Sequence, residues 1–408
     1  MHLLYVLLIL LLVTRTCGEL AVRLRQPALV GELTGGILLG LFVATAADSS
    51  AALANLDSDR TFRAVLDLAV FFLMLLAGVE MRPKDLAGVS RQAAPIAIAG
   101  MLLPLALGLG LGWWWLPESD WKAGQSLFIG VALAVTAVPV AVKVLLDLDQ
   151  LQSKVGRVII AAAVMDDVIS LVLLAILTAV ISADTGISVG DVAGIAANVA
   201  IFFAIAWTSG RYLLSRVGTF VQGLDMEHAE FSLLIIYGLA LAVLAEALDM
   251  HFLIGAFAAG VFFNRNVVGT KTYDRLKSQT EALTMGFLAP VFFASIGMHL
   301  NLDSVFEIPW FLFLLIVAAT LGKFAGAGIV ARMAGGFSGR HALAIGAAMN
   351  ARGAVEIIIA GVALRAGLFD HPQPVPPQIE YLFSAIVIMA IITTLATPIA
   401  LQRLLRQD

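Results

Sequence analysis

The chain has 408 residues, of which 60% are hydrophobic and 13% are Asp, Glu, Lys or Arg; its formal net charge is −4 and its mean hydropathy is +0.96. Charged residues are about half as frequent as in a soluble domain, which excludes a soluble enzyme, a disordered chain and a nucleic-acid binder. The one cysteine, Cys17, cannot form an internal disulfide, and at roughly 20 apolar residues per crossing the chain has room for about 12 to 14 membrane spans.

Apolar runs between turn and charge clusters predict thirteen helices, over 2–20, 28–44, 62–80, 93–116, 123–146, 155–181, 192–214, 230–247, 252–264, 281–298, 309–333, 342–366 and 379–405. The first has no basic residue before its apolar stretch, while Arg15, Arg23 and Arg25 follow it. That order suits a retained helix with its N-terminus outside, not a secretory signal. In this topology nineteen Lys and Arg fall in inner loops and four, Arg60, Arg63, Lys122 and Arg365, fall outside. One missed crossing would invert every later loop, so the asymmetry supports a polytopic all-α membrane protein with its C-terminus cytoplasmic. No soluble or nucleotide-binding domain is expected, because no loop reaches 25 residues and three residues follow the last helix. The letters Gly326-Ala-Gly328-x-x-Ala331 match a dinucleotide fingerprint, but they sit in an apolar helix with no strand before it and read as small-residue packing.

A charge inside a bilayer costs about 3 kcal/mol, so each one within a span marks a site. In the fifth helix, Pro139 of Thr136-Ala-Val-Pro139 frees a backbone carbonyl one turn earlier. This is either an ordinary kink or an ion-binding break at mid-membrane. The sixth helix carries Asp166 and Asp167 near its middle. Adjacent helical residues point about 100° apart, so the two carboxylates face different neighbours, and protons compete there with a metal cation. Lys323, near the centre of the eleventh helix, is too deep to snorkel and needs Asp166 or Asp167 as partner. The alternative is a permanent structural ion pair. The twelfth helix holds Asn350-Ala-Arg352-Gly353-Ala-Val-Glu356. Arg352 and Glu356 share a face as a supporting ion pair, and Asn350 and Gly353 suit an interrupted helix. The six histidines fall at span ends or in loops, which argues against a mid-membrane histidine relay.

The two interrupted helices, fifth and twelfth, lie seven helices apart, an odd number. Units of helices 1–6 and 8–13 then have opposite orientations, with helix 7 linking them. Paired breaks in inverted halves point to a transporter's binding site. Asp166 and Lys323 could balance the opposed half-helix dipoles there.

Four segments carry a family resemblance: Gln26-Pro27-Ala-Leu-Val-Gly31-Glu32-Leu-Thr-Gly-Gly36-Ile-Leu-Leu-Gly40, Phe72-Leu-Met-Leu-Leu-Ala-Gly78-Val-Glu80, Pro290-Val-Phe-Phe-Ala-Ser-Ile-Gly297-Met298 and Met349-Asn350-Ala-Arg352-Gly353-Ala-Val-Glu356. With the Asp pair and Lys323, they resemble the monovalent cation:proton antiporters, in the branch of the NapA-type sodium/proton exchangers and the membrane parts of Kef-type potassium efflux systems. The resemblance implies an NhaA-type inverted repeat with two broken, crossing helices, assembled as a homodimer. It implies dimerisation-domain helices in 1–90 and 226–305, core helices in 91–184 and 306–408, and a linker helix in 185–225. By position, Asp167 resembles the ion-binding aspartate, Asp166 the partner of Lys323, and Thr136 a residue of the crossing. Kef-type members usually have an amide before the key Asp and a cytosolic nucleotide-binding domain, so Asp166 favours the NapA-like reading.

The expectation is secondary active exchange of Na⁺, with Li⁺ or K⁺ as alternative cations, against H⁺ across a prokaryotic plasma membrane. It needs no cofactor, and two carboxylates with one lysine suit electrogenic exchange. Electroneutral K⁺/H⁺ exchange is the nearest rival. A cation channel fits the lysine-paired carboxylates poorly. An intramembrane enzyme lacks HExxH, GxSxG and any histidine near the carboxylates.

Overall fold

The structure, a computed structural model, describes residues 2–24, 26–45, 59–80, 90–136, 141–142, 145, 150, 153–182, 189–222, 226, 228–248, 250–263 and 268–405. Among these residues all regular structure is helical. The chain divides into two compact units, Met1–Pro83 with Ile187–His299 and Lys84–Gly186 with Leu300–Asp408.

The first unit contains α1 (His2–Arg23), α2 (Ala28–Thr45) and α3 (Arg60–Glu80). It also contains α7 (Val189–Thr208), which continues through a π turn at Ser209–Leu213 into Leu214–Gln222. Then come α8 (Ala229–Ala247), α9 (Phe252–Phe262) and α10 (Thr270–Met298). Glycines set its closest helix contacts. A Cβ on Gly36 of α2 would overlap the Ala294 carbonyl of α10, and one on Gly297 the Leu33 carbonyl. Gly78 of α3 and Gly260 of α9 stand in the same relation to Phe257 and Leu75. Apolar side chains gain little by associating in lipid, so close backbone approach supplies the packing instead.

The sequence predicts the tenth helix over 281–298, yet α10 begins at Thr270. Its first turns are too polar to count as a span, but they are anchored. Lys277 lies 3.2 Å from Glu80 and Arg275 lies 3.1 Å from Glu230, and the Tyr273 hydroxyl donates to the Val79 carbonyl.

The second unit contains α4 (Ser90–Trp115), α5 (Lys122–Ala134) and α6 (Lys154–Ser182). After its return come α11 (Pro309–Met333), α12 (Gly339–Met349), α13 (Ala354–Arg365) and α14 (Leu382–Leu405). The π turn Phe324–Ile329 of α11 follows directly on Lys323. A Cβ on Gly326 in that turn would overlap the Ala99 carbonyl of α4, so Gly326-Ala-Gly328 is a helix-packing segment.

The fifth helix is interrupted within the span predicted over 123–146. It stops at Ala134, with Val135 extended at φ −66°, ψ 144°. Pro139, to which the break is ascribed from sequence, lies outside the described residues. The predicted span 342–366 is two helices, α12 and α13, separated by residues 350–353, with Gly353 extended at φ −165°.

Seven described helices are long and apolar enough to cross a membrane: Leu3–Arg23, Arg60–Glu80, Arg91–Trp115, Ala229–Ala247, Thr270–Met298, Pro309–Met333 and Leu382–Leu405. Ala28–Val43 and Phe252–Phe262 are apolar but shorter.

Candidate functional site

The site lies inside the second unit, where α5 stops and the α12–α13 break begins. A helix ends with carbonyls that no amide of its own can meet. In a membrane interior water cannot satisfy them either. Two buried cations do so here. Arg352, in the α12–α13 break, donates from Nη1 to the carbonyls of Ala132 (2.5 Å) and Val135 (2.7 Å). Its Nη2 donates to Leu133 at 2.7 Å. Lys323 Nζ donates to the Ala134 carbonyl and, at 2.7 Å, to the Thr136 hydroxyl. The planar guanidinium spans the carbonyls of Ala132, Leu133 and Val135, and the compact ammonium takes that of Ala134 between them.

Thr136 then joins the two breaks, because its hydroxyl donates to the Met349 carbonyl at 2.9 Å. The far side of the second break is held by α14. Thr394 donates to the Arg352 carbonyl at 2.9 Å, and Thr397 to that of Ala347 at 3.5 Å.

The anionic groups complete the arrangement. Asp166 Oδ1 lies 3.5 Å from Lys323 Nζ, with both side chains at 0% exposure. Glu356 Oε2 lies 3.7 Å from Arg352 Nε, and this pair too is buried. The guanidinium is therefore committed to carbonyls, and Glu356 is a loose ionic neighbour without a hydrogen bond among the described residues. Glu356 sits in the first turn of α13, at that helix's positive end. Lys323 and Arg352 sit at the negative end of α5. Each half-helix terminus thus meets the opposite charge. From sequence, Asp166 and Lys323 are the pair expected to balance the dipoles; in the structure Arg352 and Glu356 take positions at the helix ends as well.

Among the described residues, several buried oxygens have no hydrogen-bond partner: both of Asp166, Oδ1 of Asn350 and Oγ of Ser170. Ser170 follows Asp166 by one helical turn and shares its face. Oxygen donors of this kind suit a hard cation. Asn350 also lines a cavity of about 210 Å³ with Thr320, Thr393 and Thr397. Asp167 is in α6, next to Asp166; its side chain lies outside the described ones.

The structure brings Thr136, Asp166, Lys323, Asn350, Arg352 and Glu356, each singled out from the sequence, around one pair of helix breaks. The sequence reading misses Ser170, Thr394 and Thr397. Their signal was present, as hydroxyls in otherwise apolar runs, with Ser170 at i+4 from an aspartate.

The sequence matches the family described as sodium/hydrogen exchanger, transmembrane, over residues 7–407. Among individual proteins, it is 30% identical over 390 residues to the Na⁺/H⁺-K⁺ antiporter GerN of Bacillus cereus, covering 96% of this chain and 93% of that protein. It is 26% identical over 402 residues to a Na⁺/H⁺ antiporter of Enterococcus hirae, covering 97% and 96%. Its fold superposes on the sodium proton antiporter MjNhaP1 of Methanocaldococcus jannaschii with a TM-score of 0.72 and 16% identity, over 100% of this chain and 99% of that one.

Proposed function

The chain belongs to the sodium/hydrogen exchanger family, and from that membership, which makes it a monovalent cation:proton antiporter, we propose that it exchanges Na⁺ for H⁺ across the plasma membrane by alternating access. The observation that carries the reading is the fully buried Asp166–Lys323 pair at the end of an interrupted helix, with oxygens beside it that have no hydrogen-bond partner among the described residues. A structural core would bury such charges only at a cost. A transporter uses them.

In this reading Asp167 binds the cation or a proton, and Asp166 holds Lys323. Thr136, Asn350 and the carbonyls at the breaks surround the ion. An empty, ionised carboxylate crosses the membrane poorly, so Asp167 must be occupied by one ion or the other, and the fluxes couple. The second unit serves as the moving core, while α1–α3 and α8–α10 form the static dimerisation domain of a homodimer, linked by α7. No cofactor takes part.

Asp166 supports electrogenic exchange, two protons against one cation. Asp167 supplies one proton. Lys323 supplies the other when Asp166 turns to the cation. The pair titrates as one coupled unit. Proteoliposomes given Na⁺, Li⁺ and K⁺ in turn, with internal pH monitored, test the exchange; K⁺ is included because one relative is named for both ions. On a solid-supported membrane, a cation gradient alone should drive sustained charge movement. The double variant Asp166→Asn with Lys323→Gln should leave any remaining exchange electrically silent. Active but silent exchange by the unaltered protein would instead establish electroneutral K⁺/H⁺ or Na⁺/H⁺ exchange.

The proposed topology has thirteen crossings, with the N-terminus outside and the C-terminus cytoplasmic, as the loop charges indicate. In a Cys17-free background, single cysteines at positions 184 and 303 should be labelled from outside by an impermeant reagent, and one at position 25 should not. Labelling at 25 would overturn the thirteen-helix count.

A further inference from the structure

At the C-terminal end of α4 the chain reads Trp113-Trp114-Trp115, and α5 begins at Lys122 after a short connection. A groove of about 770 Å³ opens there, lined by Leu109, Gly110, Trp113, Trp114, Glu118 and Lys122 among others. It belongs wholly to the second unit and lies apart from the ion site. Indole rings at the end of a spanning helix sit at the level of lipid headgroups. Trp113 and Trp114 are 59% and 71% exposed, so both rings are offered to the bilayer.

The polar end of the groove carries one charge of each sign. Lys122 is 5% exposed, and its Nζ lies 2.5 Å from Glu118 and 5.1 Å from the Trp113 ring centroid. The Glu118 side chain, in contrast, is 87% exposed. An ammonium has three donors, so Lys122, which lines the groove, can hold Glu118 and still donate to a phosphate that reaches it. The exposed carboxylate can receive a second ammonium from outside. Two further donors in the same segment, the Trp115 indole N–H and the Ser119 hydroxyl, are buried without partners among the described residues.

The apolar end continues as a track. Leu103, Leu107, Gly110 and Trp114 follow one another at intervals of four, three and four residues on one face of α4, all exposed. At 1.5 Å per residue the track is about 16 Å long, close to the length of a phospholipid acyl chain. Gly110 opens it, since a Cβ added there would meet nothing within 4 Å.

We propose that this groove is a binding site for a zwitterionic phospholipid whose headgroup carries a phosphate and a primary ammonium, as in phosphatidylethanolamine. The phosphate faces Lys122, the ammonium faces Glu118, and one acyl chain lies along α4. A purely anionic headgroup would satisfy Lys122 but stand against Glu118. A choline headgroup has the charge but no N–H to donate.

The tryptophans report occupancy directly. Trp207 and Trp310 are replaced by Phe, which confines fluorescence to the four tryptophans from Trp113 to Trp121. The full chain is reconstituted with acyl-brominated phosphatidylethanolamine, phosphatidylglycerol or phosphatidylcholine at equal mole fraction. The ethanolamine lipid should quench most, with an enrichment of roughly threefold or more over bulk, the order expected for added charge-assisted hydrogen bonds at a wet interface. Glu118→Gln, at an exposed position, should reduce that preference to the level of the choline lipid. Gly110→Phe, whose Cβ would meet nothing within 4 Å and whose ring would occupy the groove, should remove the enrichment with every headgroup. Equal quenching by all three lipids would reduce the groove to ordinary lipid-facing surface, and stronger quenching by phosphatidylglycerol would replace the proposal with an anion site at Lys122. Either result overturns it, as does a preference unchanged in Glu118→Gln.

Discussion

Asp167→Asn should give a folded, inserted protein in which a cation gradient drives no proton flux above the empty-liposome background. Asn matches Asp in size and keeps an oxygen acceptor, but it cannot take up or release a proton. Asp167 lies on α6 immediately after Asp166, and Asp166 is already engaged with Lys323 at 3.5 Å. Adjacent helical positions differ by about 100° of rotation, which is why the sequence assigns the two carboxylates different neighbours. If Asp167 carries the exchanged ion, the amide variant has lost the group that both substrates share, and exchange falls together for Na⁺, Li⁺ and K⁺. Asp167→Glu keeps the titratable group and should retain measurable exchange with altered cation affinity. Rates come from internal pH after an outward cation gradient is imposed, with insertion checked by recovery of the reconstituted protein. Substantial exchange by Asp167→Asn would remove Asp167 from the mechanism. Loss in Asp166→Asn alone could not make the same distinction, because that change also leaves Lys323 buried without its carboxylate neighbour.

Much of this site was legible in the letters because a membrane makes charge expensive. Asp166, Lys323, Arg352 and Glu356 stand out in apolar runs, and every one of them is buried near a helix break. The membership of the site could therefore be read before its geometry. What the letters could not carry was the role of the backbone. Ala132, Leu133, Ala134 and Val135 are unremarkable by side chain, yet their carbonyls receive the two cations. Helical spacing suggested that Arg352 pairs with Glu356, four residues on. The pair does form, at 3.7 Å, but Arg352 precedes α13 and its three hydrogen bonds go to the end of a different helix, α5. The glycine signatures were recognisable as patterns, while their physical content, backbone contact between α2 and α10 and between α3 and α9, needed both partners in view. The start of α10 was missed for the opposite reason. Its polar first turns carry no apolar run, and ion pairs to α3 and α8 hold them.

Replacing Arg352 should therefore be among the most destabilising single changes in the chain. Arg352→Met keeps much of the volume and removes all three hydrogen bonds to the end of α5. A buried polar group left without a partner costs about 1–3 kcal/mol. Three carbonyls at one terminus cannot all relax toward other donors, so a net loss of about 3–6 kcal/mol is expected. Glu356 also loses its nearest cation, 3.7 Å away. Arg352→Lys retains a positive charge but presents a point donor where a planar fork spans Ala132, Leu133 and Val135; it should fall between the two. Adding Glu356→Gln to Arg352→Met removes the stranded carboxylate and should recover part of the loss, but not the part owed to the carbonyls. That residue of instability separates capping of α5 from simple ion pairing. Thermal unfolding of the purified protein in detergent measures the ranking, with exchange assayed on the surviving folded fraction. Full recovery in the double variant would make Arg352 a charge partner for Glu356 alone. Stability unchanged in Arg352→Met would mean that the interrupted helix holds its end without the guanidinium.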